Sequence, residues 1–394
     1  MNQLFLDKTT AIEAELISIR RHLHQFPELS FVEYKTSEFI QAKLTEWNIP
    51  FTTGWAKTGI VGVLHGKNPE SKCIALRADI DALPIQELNQ VDYKSCNNGV
   101  MHACGHDVHS TCLLGALQVL NQTRNEWEGT VKFIFQPGEE KLPGGASILI
   151  QEGVLQNPKP DAIIGLHVLP QMETGFLGLK PGMFMASSDE IYLTIKGKGG
   201  HGALPQTLID PVLISAHVLI ALQQIVSRNA SPIVPSVLSF GKIIGNGATN
   251  VIPDEVTIEG TFRTFDETWR ERAHQKIHEI CSGICTSFGA SCDVNIVKGY
   301  PFLVNDEKIS QQVEKSLKST FGKDQILSLE TRMTAEDFAY YSQEIPACFF
   351  RLGTGNLSKG ITAGIHTATF DVDERCLLIG TRALLASVLG IHTA

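Results

Sequence analysis

Apolar and polar positions in the first part of the chain follow each other as short helices and strands. The periodicity predicts helices over residues 10–25, 110–120 and 146–152, and apolar runs predict strands over 60–64, 73–76, 131–135 and 162–166. The strand over 73–76 ends abruptly in acidic residues, which is typical of a strand end that carries an active site. Because helices alternate with strands, this part of the chain is predicted to be α/β.

The pattern changes near residue 185. Strands are predicted over 190–196, 236–244, 255–265 and 291–297, and helices over 211–226 and 267–288. Their order, β-α-β-β-α-β, is that of a ferredoxin-like unit. We therefore predict a discontinuous α/β domain over 1–185 and 298–394, interrupted by an inserted α+β domain over 186–297.

Composition excludes several classes of function. The net charge of −9, from 42 acidic and 33 basic residues without a basic run, argues against a nucleic-acid partner. The first residues do not have the pattern of a signal peptide, and no segment is expected to span a membrane. Nine irregularly spaced cysteines fit free thiols in a reducing compartment, so the expected location is the cytoplasm.

The segment 101–109 (Met-His-Ala-Cys-Gly-His-Asp-Val-His) is the densest group of metal-binding side chains. Cys104 and His106 flank a glycine that allows the backbone to turn around an ion, and thiolate and imidazole are preferred ligands of borderline divalent metals. His102, Asp107 and His109 are candidates for supporting or structural roles. A buried Cys-His pair that only packs and hydrogen-bonds is the alternative interpretation of this segment.

Adjacent carboxylates follow the apolar run 131–135. Glu139 and Glu140 can divide the work of a hydrolytic site, one ligating a cation and the other acting as general base on water. Two glutamates on a loop are more often a solvated surface. His167 and His366 each end a short apolar run, where a core histidine is the alternative. Taken together, the chain offers five donors from four segments, close to what two divalent ions need: Cys104, His106, Glu140, His167 and His366.

Several ordered motifs resemble one family nearly from end to end. They lie at 20–30, 77–84, 101–109, 135–140, 199–205, 249–254, 260–263 and 335–339. In this order they are similar to the aminoacylase, hippurate hydrolase and indoleacetyl-amino-acid hydrolase branch of the dinuclear metallo-exopeptidases.

The resemblance implies a zinc-exopeptidase-like α/β catalytic domain and an inserted lid and dimerisation domain. It implies two divalent metal ions per subunit (Zn, Mn, Co or Ni), a small N-acyl amino acid as substrate, and a homodimer or higher homo-oligomer formed through the lid. The resemblance also implies a role for each residue. The five donors bind the metals, with Cys104 as the bridging ligand, and Glu139 is the general base. His201 stabilises the oxyanion in the site of the partner subunit, Asn250 and Arg263 bind the substrate, and Asp79 or Asp81 supports a ligand.

Three other functions remain open from the sequence. A dipeptidase or aminopeptidase uses the same metal pair on related scaffolds. A non-catalytic binding protein would be indicated by loss of Glu139 or of a ligand, but all of these residues are present. A thiol hydrolase with Cys104 as nucleophile and His106 as base would leave the other donors without a role.

Overall fold

The computed structural model describes residues 1–392, which form two compact units. The first comprises Met1–Phe184, Val304–Glu330 and the residues from Glu336 onward. The second comprises Met185–Leu303 and the short segment Thr331–Ala335, which the sequence pattern assigned to the other domain.

The elements follow in chain order. The N-terminal part of the first unit contains α1 (Gln3–Ala11), α2 (Glu13–Gln25), α3 (Tyr34–Glu46), β1 (Phe51–Trp55), β2 (Gly59–His65), β3 (Cys73–Asp79), α4 (His106–Gln122), β4 (Thr130–Gln136), α5 (Gly145–Gln151), β5 (Ala162–Glu173), β6 (Leu177–Leu179) and β7 (Gly182–Met185). The second unit contains β8 (Asp189–Lys196), β9 (Gly200–His201), α6 (Pro211–Leu222), β10 (Ser236–Ile244), β11 (Val251–Ile252), β12 (Glu255–Thr264), α7 (Glu267–Ser287) and β13 (Ser291–Lys298). The C-terminal part contains β14 (Leu303–Asn305), α8 (Glu307–Phe321), β15 (Ile326–Ser328), α9 (Ala339–Glu344), β16 (Ala347–Gly355) and α10 (Arg375–His392).

Eight strands form the main sheet of the first unit within residues 1–392, in the order β1-β2-β4-β3-β5-β16-β6-β15. The central strands β4, β3, β5 and β16 run parallel, and α2, α4 and α10 pack against one another. The predicted α/β class is confirmed. Because parallel strands end at the same side of the sheet, their carboxyl ends bring distant loops together, as the pairing of Asp79 with Gln136 shows.

The second unit is built on an antiparallel four-stranded sheet in the order β10-β12-β8-β13. Apolar side chains of α6 and α7 cover one face of it and form a core of their own. The four strands of this sheet and the two helices follow the order β8-α6-β10-β12-α7-β13, which is the β-α-β-β-α-β order of a ferredoxin-like unit.

The predicted helix over 10–25 is wrong at its start. The chain forms two helices that break at Ile12, whose backbone has φ −101° and ψ 4°. Thr9 and Thr10 donate their hydroxyls to Leu6 O at 2.8 and 2.9 Å. Such bonds from side chain to backbone compete with the helical ladder and bend helices.

The expectation that no segment approaches a membrane span also needs correction. Residues 211–229 and 375–392 are long and apolar enough by length and composition. Helix α10 is mostly buried in the core of the first unit, as in many soluble proteins. In the stretch 211–229 only 33% is buried, which leaves an apolar outer face on α6.

Candidate metal centre

The five predicted ligands come together in the first unit. Cys104 Sγ lies 3.4 Å from His167 Nε2 and 3.3 Å from His366 Nε2. Glu140 Oε1 lies 3.2 Å from His366 Nε2 and 4.0 Å from His106 Nε2. The donors therefore face one small volume, although they come from four separate segments.

Hydrogen bonds set the orientation of two ligand histidines. The Nδ1 of His167 donates to Val168 O at 2.8 Å, and the Nδ1 of His106 donates to Asp81 Oδ1 at 3.2 Å. Nδ1 of both rings therefore carries a proton, and Nε2 of His167 keeps a lone pair. Burial lowers the pKa of His106, but the carboxylates of Asp79, Asp81 and Glu140 outweigh burial and raise the pKa to about 10, so a metal ion would displace a proton from Nε2. The buried His106 Nε2 has no hydrogen-bond partner within residues 1–392. A histidine held in this way is suited to bind a metal through Nε2.

Neither ring nitrogen of His109 is free to bind a metal. Its Nδ1 donates to Asp79 Oδ1 at 2.6 Å and its Nε2 accepts from Val168 N at 2.9 Å. Both ring nitrogens are used, so His109 orients the strand that carries His167 rather than ligating an ion.

Asp107 and His102 also lie apart from the donors. Asp107 Oδ2 accepts from Arg20 Nε at 2.9 Å and from His24 Nδ1 at 2.8 Å. His102 is buried, and burial lowers its pKa to about 4, which keeps the ring neutral at neutral pH. We assign structural roles to both.

The electrostatics of the cluster fit a pair of cations. Burial, followed by the nearby Glu140 and Glu139 carboxylates, raises the pKa of Cys104 well above its usual range. Burial also raises the pKa of Glu139, and Glu336 and Glu140 raise it further. Four acidic groups, Cys104, Glu139, Glu140 and Glu336, thus lie close together, and their ionised forms repel each other. Divalent cations would offset that repulsion, and thiolate, imidazole and carboxylate are suitable donors for them.

Two backbone positions shape the loop around the donors. Gly105 has φ +87°, and a Cβ there would meet Val168 Cγ2 at 2.6 Å, so only glycine fits between the two ligands of its segment. His366 has φ +60°, which is uncommon for a residue with a side chain, and its N donates to Ala103 O at 2.7 Å. Strained backbone of this kind is often found at functional sites.

A model of the peptidase family M20/M25/M40 matches residues 75–389. The chain belongs to this family. Its M20 relatives include a protein named N-acetyl-L-cysteine deacetylase from Bacillus subtilis, 40% identical over 94% of this chain and 86% of that protein. They also include thermostable carboxypeptidase 2 from Saccharolobus solfataricus, 38% identical over 95% of both chains. A solved structure from Bacillus subtilis, described as a dinuclear metal-binding peptidase of the M20 family, is 34% identical with a TM-score of 0.82, covering 97% of this chain and 98% of that one.

Glu139, the candidate for the general base, is buried, with 6% of its surface exposed. Glu139 Oε2 lies 4.0 Å from His106 Nε2, and Glu139 Oε1 accepts from Asp337 N at 3.4 Å. The side chain is therefore next to the proposed ligands and shielded from bulk water.

Asp81 and Asp79 hold different partners. Asp81 orients the ligand His106 through Oδ1, and its Oδ2 accepts from Glu140 N at 3.0 Å and from Ser30 Oγ at 2.7 Å. Asp79 binds His109 instead. Asp81 is thus the residue that supports two ligand segments directly.

The other three predicted site residues lie in the second unit. His201, in β9, is exposed, and its Nδ1 accepts from Ala203 N at 3.1 Å, which leaves Nε2 to carry a proton. Asn250 is exposed, and its backbone carbonyl accepts a hydrogen bond from Gly202 N at 2.9 Å. Arg263 Nη1 donates to Met333 O at 3.1 Å, and burial lowers its pKa.

The M20 site also contains a buried arginine that the sequence prediction missed. Arg77, 2% exposed, binds Asp337 Oδ1 at 2.6 Å and Asp79 Oδ2 at 2.7 Å, and donates through Nε to Gln136 Oε1 at 2.9 Å. Gln136 Nε2 in turn donates to Asp337 Oδ2 at 2.7 Å. The network links three segments beside Glu139. Its signal in the sequence was a charged residue that directly follows the apolar run 73–76.

Proposed function

We propose that the protein is a metal-dependent amidohydrolase that cleaves N-acyl amino acids into a carboxylic acid and a free amino acid. The observation that carries this proposal is the convergence of five metal-binding side chains beside the buried Glu139. It is supported by M20 family membership and by a relative whose name describes deacetylation of an N-acetyl amino acid.

The ligands we propose for two divalent ions are Cys104, His106, Glu140, His167 and His366. The Cys104 thiol contacts two of these histidines and would hold the ions together with them, in the role for which the family resemblance implies a bridging ligand. When bound, such ions polarise the amide carbonyl and make a neighbouring water more acidic. We leave the metal open among Zn, Mn, Co and Ni, since this donor set accepts all four.

Glu139 is the proposed general base. Its carboxylate takes a proton from the attacking water and later gives it to the amine that leaves. Burial and neighbouring carboxylates raise its pKa, which helps it to hold that proton between the two steps.

His201, Asn250 and Arg263 are the proposed substrate-binding residues of the second unit, which we propose to act as a lid. Hydrogen bonding at Nδ1 leaves the Nε2 proton of His201 available to a developing oxyanion. We propose that His201 acts in the site of the partner subunit.

A mixed-subunit experiment tests this role. Inactive Glu139→Gln and His201→Ala homodimers are mixed and their subunits exchanged. Recovery of activity is expected, because one of the two mixed sites receives both Glu139 and His201. No recovery after demonstrated exchange would place His201 in its own subunit's site.

The homodimer is itself a proposal, and the outer face of α6 is its proposed interface. Leu213 is 55% exposed and Ile220 is 72% exposed, although both are large and apolar. Sedimentation of Ile220→Glu is expected to give a smaller species than the wild type. Leu357→Glu is the matched control, since Leu357 is 75% exposed in the first unit.

We place the protein in the cytoplasm as a proposal. Nine cysteines without a disulfide in residues 1–392 support a reducing compartment. Fractionation of the source cells, with enzymatic markers for each compartment, tests the location.

A substrate panel tests the activity. The chelated protein is reloaded with Mn, Zn, Co or Ni and offered N-acetyl and N-benzoyl amino acids. Release of free amino acid that depends on the added metal is expected. No release with any metal would reject the proposal and favour a binding role.

Peptide hydrolysis is the second candidate, favoured by the relative named as a carboxypeptidase. A carboxypeptidase and an N-acyl amino acid hydrolase both cut the amide next to an amino acid that keeps its carboxylate. Comparing N-acetyl-alanine with alanyl-alanine and with N-benzoyl-alanyl-alanine separates the two. Faster hydrolysis of the peptides would transfer the assignment to a peptidase.

A further inference from the structure

Three cysteines meet between a helix and a strand of the second unit. Cys281 and Cys285 are one helical turn apart on α7, so their side chains share one face of that helix. On β13, Cys292 shares the face of Val294 and Ile296 that packs against the same core. Helical and strand periodicity therefore aim all three thiols at one interface.

All three cysteines belong to the apolar core of this unit, and the Cys292 thiol donates to the backbone O of Asp293 at 3.7 Å. None of the three cysteines is among the proposed metal ligands, which lie outside this unit, or among the proposed substrate-binding residues of this unit.

Exposure separates the three sulfurs. Cys281 and Cys285 are fully buried, whereas Cys292 is partly exposed on a strand at the edge of the sheet. The neighbouring Cys281 thiol lowers the pKa of Cys292, and the lower pKa increases its thiolate fraction. Cys292 is thus the thiol that a reagent reaches first, with a second thiol already beside it.

We propose that Cys292 and Cys281 form a thiol-oxidation site that reacts with small disulfides. The Cys292 thiolate attacks one sulfur of the small disulfide, forms a mixed disulfide and releases one small thiolate. Cys281 then loses its proton to solvent and attacks Cys292 Sγ, releasing the second small thiolate. Two protein thiols are oxidised to one disulfide, and one small disulfide is reduced to two thiols.

Cys281 is preferred over Cys285 because of its height along α7. Counted from Gly289, where the chain turns back, Cys292 lies about 10 Å along β13, Cys281 about 12 Å along the helix and Cys285 only about 6 Å along it. The disulfide between Cys281 and Cys292 would link α7 covalently to β13. Cys285 remains a reduced, buried neighbour of the pair.

The sequence makes the test direct. A single tryptic peptide, residues 277–298, contains all three cysteines, since no Lys or Arg lies between 276 and 298. The folded protein is incubated with oxidised glutathione, unfolded, alkylated without reduction and digested. We expect this peptide to carry one alkyl label, which fragmentation places on Cys285. Apart from the label, the peptide is expected to be about 2 Da lighter than the fully reduced peptide, because the disulfide forms with the loss of two hydrogens.

Three results would overturn the proposal. These are three labels after oxidation, a lasting glutathione adduct on Cys292, and a label on Cys281 rather than on Cys285. The wild-type protein alone gives this answer, so it does not depend on a variant that folds.

Two variants sharpen the result. Cys292→Ser is expected to keep both remaining labels after oxidation, because the reachable thiol is gone. The matched control is Cys96→Ser, since the exposed Cys96 only donates to Lys94 O. This control is expected to oxidise at 277–298 like the wild type, and loss of the bond there would contradict the assigned pair.

Discussion

Arg77 and Asp337 form a buried ion pair of 2.6 Å although 260 positions separate them in sequence. The pair joins the end of β3 to the segment whose backbone donates to Glu139. Because Asp79 and Gln136 bind the same guanidinium, Arg77 fixes several parts of the site at once. It is a positioning residue, since its hydrogen bonds go to Asp337 and Gln136 beside Glu139 and not to Glu139 itself.

Arg77→Met is therefore expected to destabilise the protein by about 3–5 kcal/mol, because it leaves Asp79 and Asp337 buried without their cation. Arg77→Lys keeps the charge but cannot bind Asp79, Gln136 and Asp337 together. We therefore expect it to recover part of the stability, and to have a lower kcat than the wild type with little change in KM. Urea unfolding and steady-state kinetics measure both effects. Arg21→Met is the control: its pair with Glu374 is exposed and is worth at most about 1 kcal/mol. Equal losses at the two positions would contradict the assigned role.

Glu139→Gln is expected to reduce kcat by about 10²–10⁴-fold, the usual contribution of a general base, while the bound metal is retained. Glu140→Gln is the contrasting variant, because it removes a proposed ligand and is expected to reduce the metal content. Both are measured by metal analysis of the dialysed proteins together with turnover. Substantial activity of Glu139→Gln would remove this residue from the mechanism.

Gly105→Ala tests how closely the loop packs on the metal centre. The added Cβ would meet Val168 at 2.6 Å, so overpacking of about 1–3 kcal/mol is expected in addition to the cost of the left-handed backbone. Gly99→Ala is the matched control, because it has φ +76° with no atom within 4 Å and carries only the backbone cost of about 1–2 kcal/mol. Thermal unfolding should rank the two variants in this order, with Gly105→Ala also losing metal. The same loss in both would show that the contact with Val168 is relaxed at no cost.

Asp189 links stability to pH in the second unit. Burial alone would raise its pKa, but hydrogen bonds from His274 and Arg270 lower the pKa below its ordinary value. A lowered carboxyl pKa contributes stability above the unfolded value of 3.8, and this contribution is lost as the pH falls below it. Asp189→Asn is thus expected to cost about 3–5 kcal/mol from pH 5 to 8, and less at more acidic pH.

The control for Asp189 is Asp293→Asn. Its ion pair with Lys196 has an N–O distance of 2.6 Å, but both side chains are at least half exposed, so a much smaller change in stability is expected than for Asp189→Asn. Denaturant unfolding at several pH values measures both variants. A cost for Asp189→Asn that stays constant down to pH 2 would contradict the linkage.

The donors of the metal centre were predictable because chemistry is concentrated in short segments. Cys104 and His106 lie within three positions, and His167 ends an apolar run, so each could be recognised locally. Arg77 could not be assigned in this way, because an arginine after a strand has the same appearance whether it faces water or a distant Asp337.

Local signals were also too weak for some elements of the fold. Helix α3 was not predicted, and its first residue is preceded by Glu33, which makes no capping bond. The Glu33 carboxylate instead accepts from Gly138 N and Thr58 Oγ1, contacts that only the folded chain provides. The Glu28 carboxylate, eight positions before Thr36, accepts from Thr36 N at 2.8 Å and takes the place of the local cap on which sequence analysis depends.

Strand β16 lies between β5 and β6 in the main sheet, although the whole second unit separates it from them in the chain. During synthesis, residues 185–303 leave the ribosome before that gap in the sheet can be filled. The inserted unit can fold early, whereas the unit that begins first must wait for the last quarter of the chain. His366 follows β16, so the nascent protein cannot assemble its full set of metal ligands until translation is nearly complete.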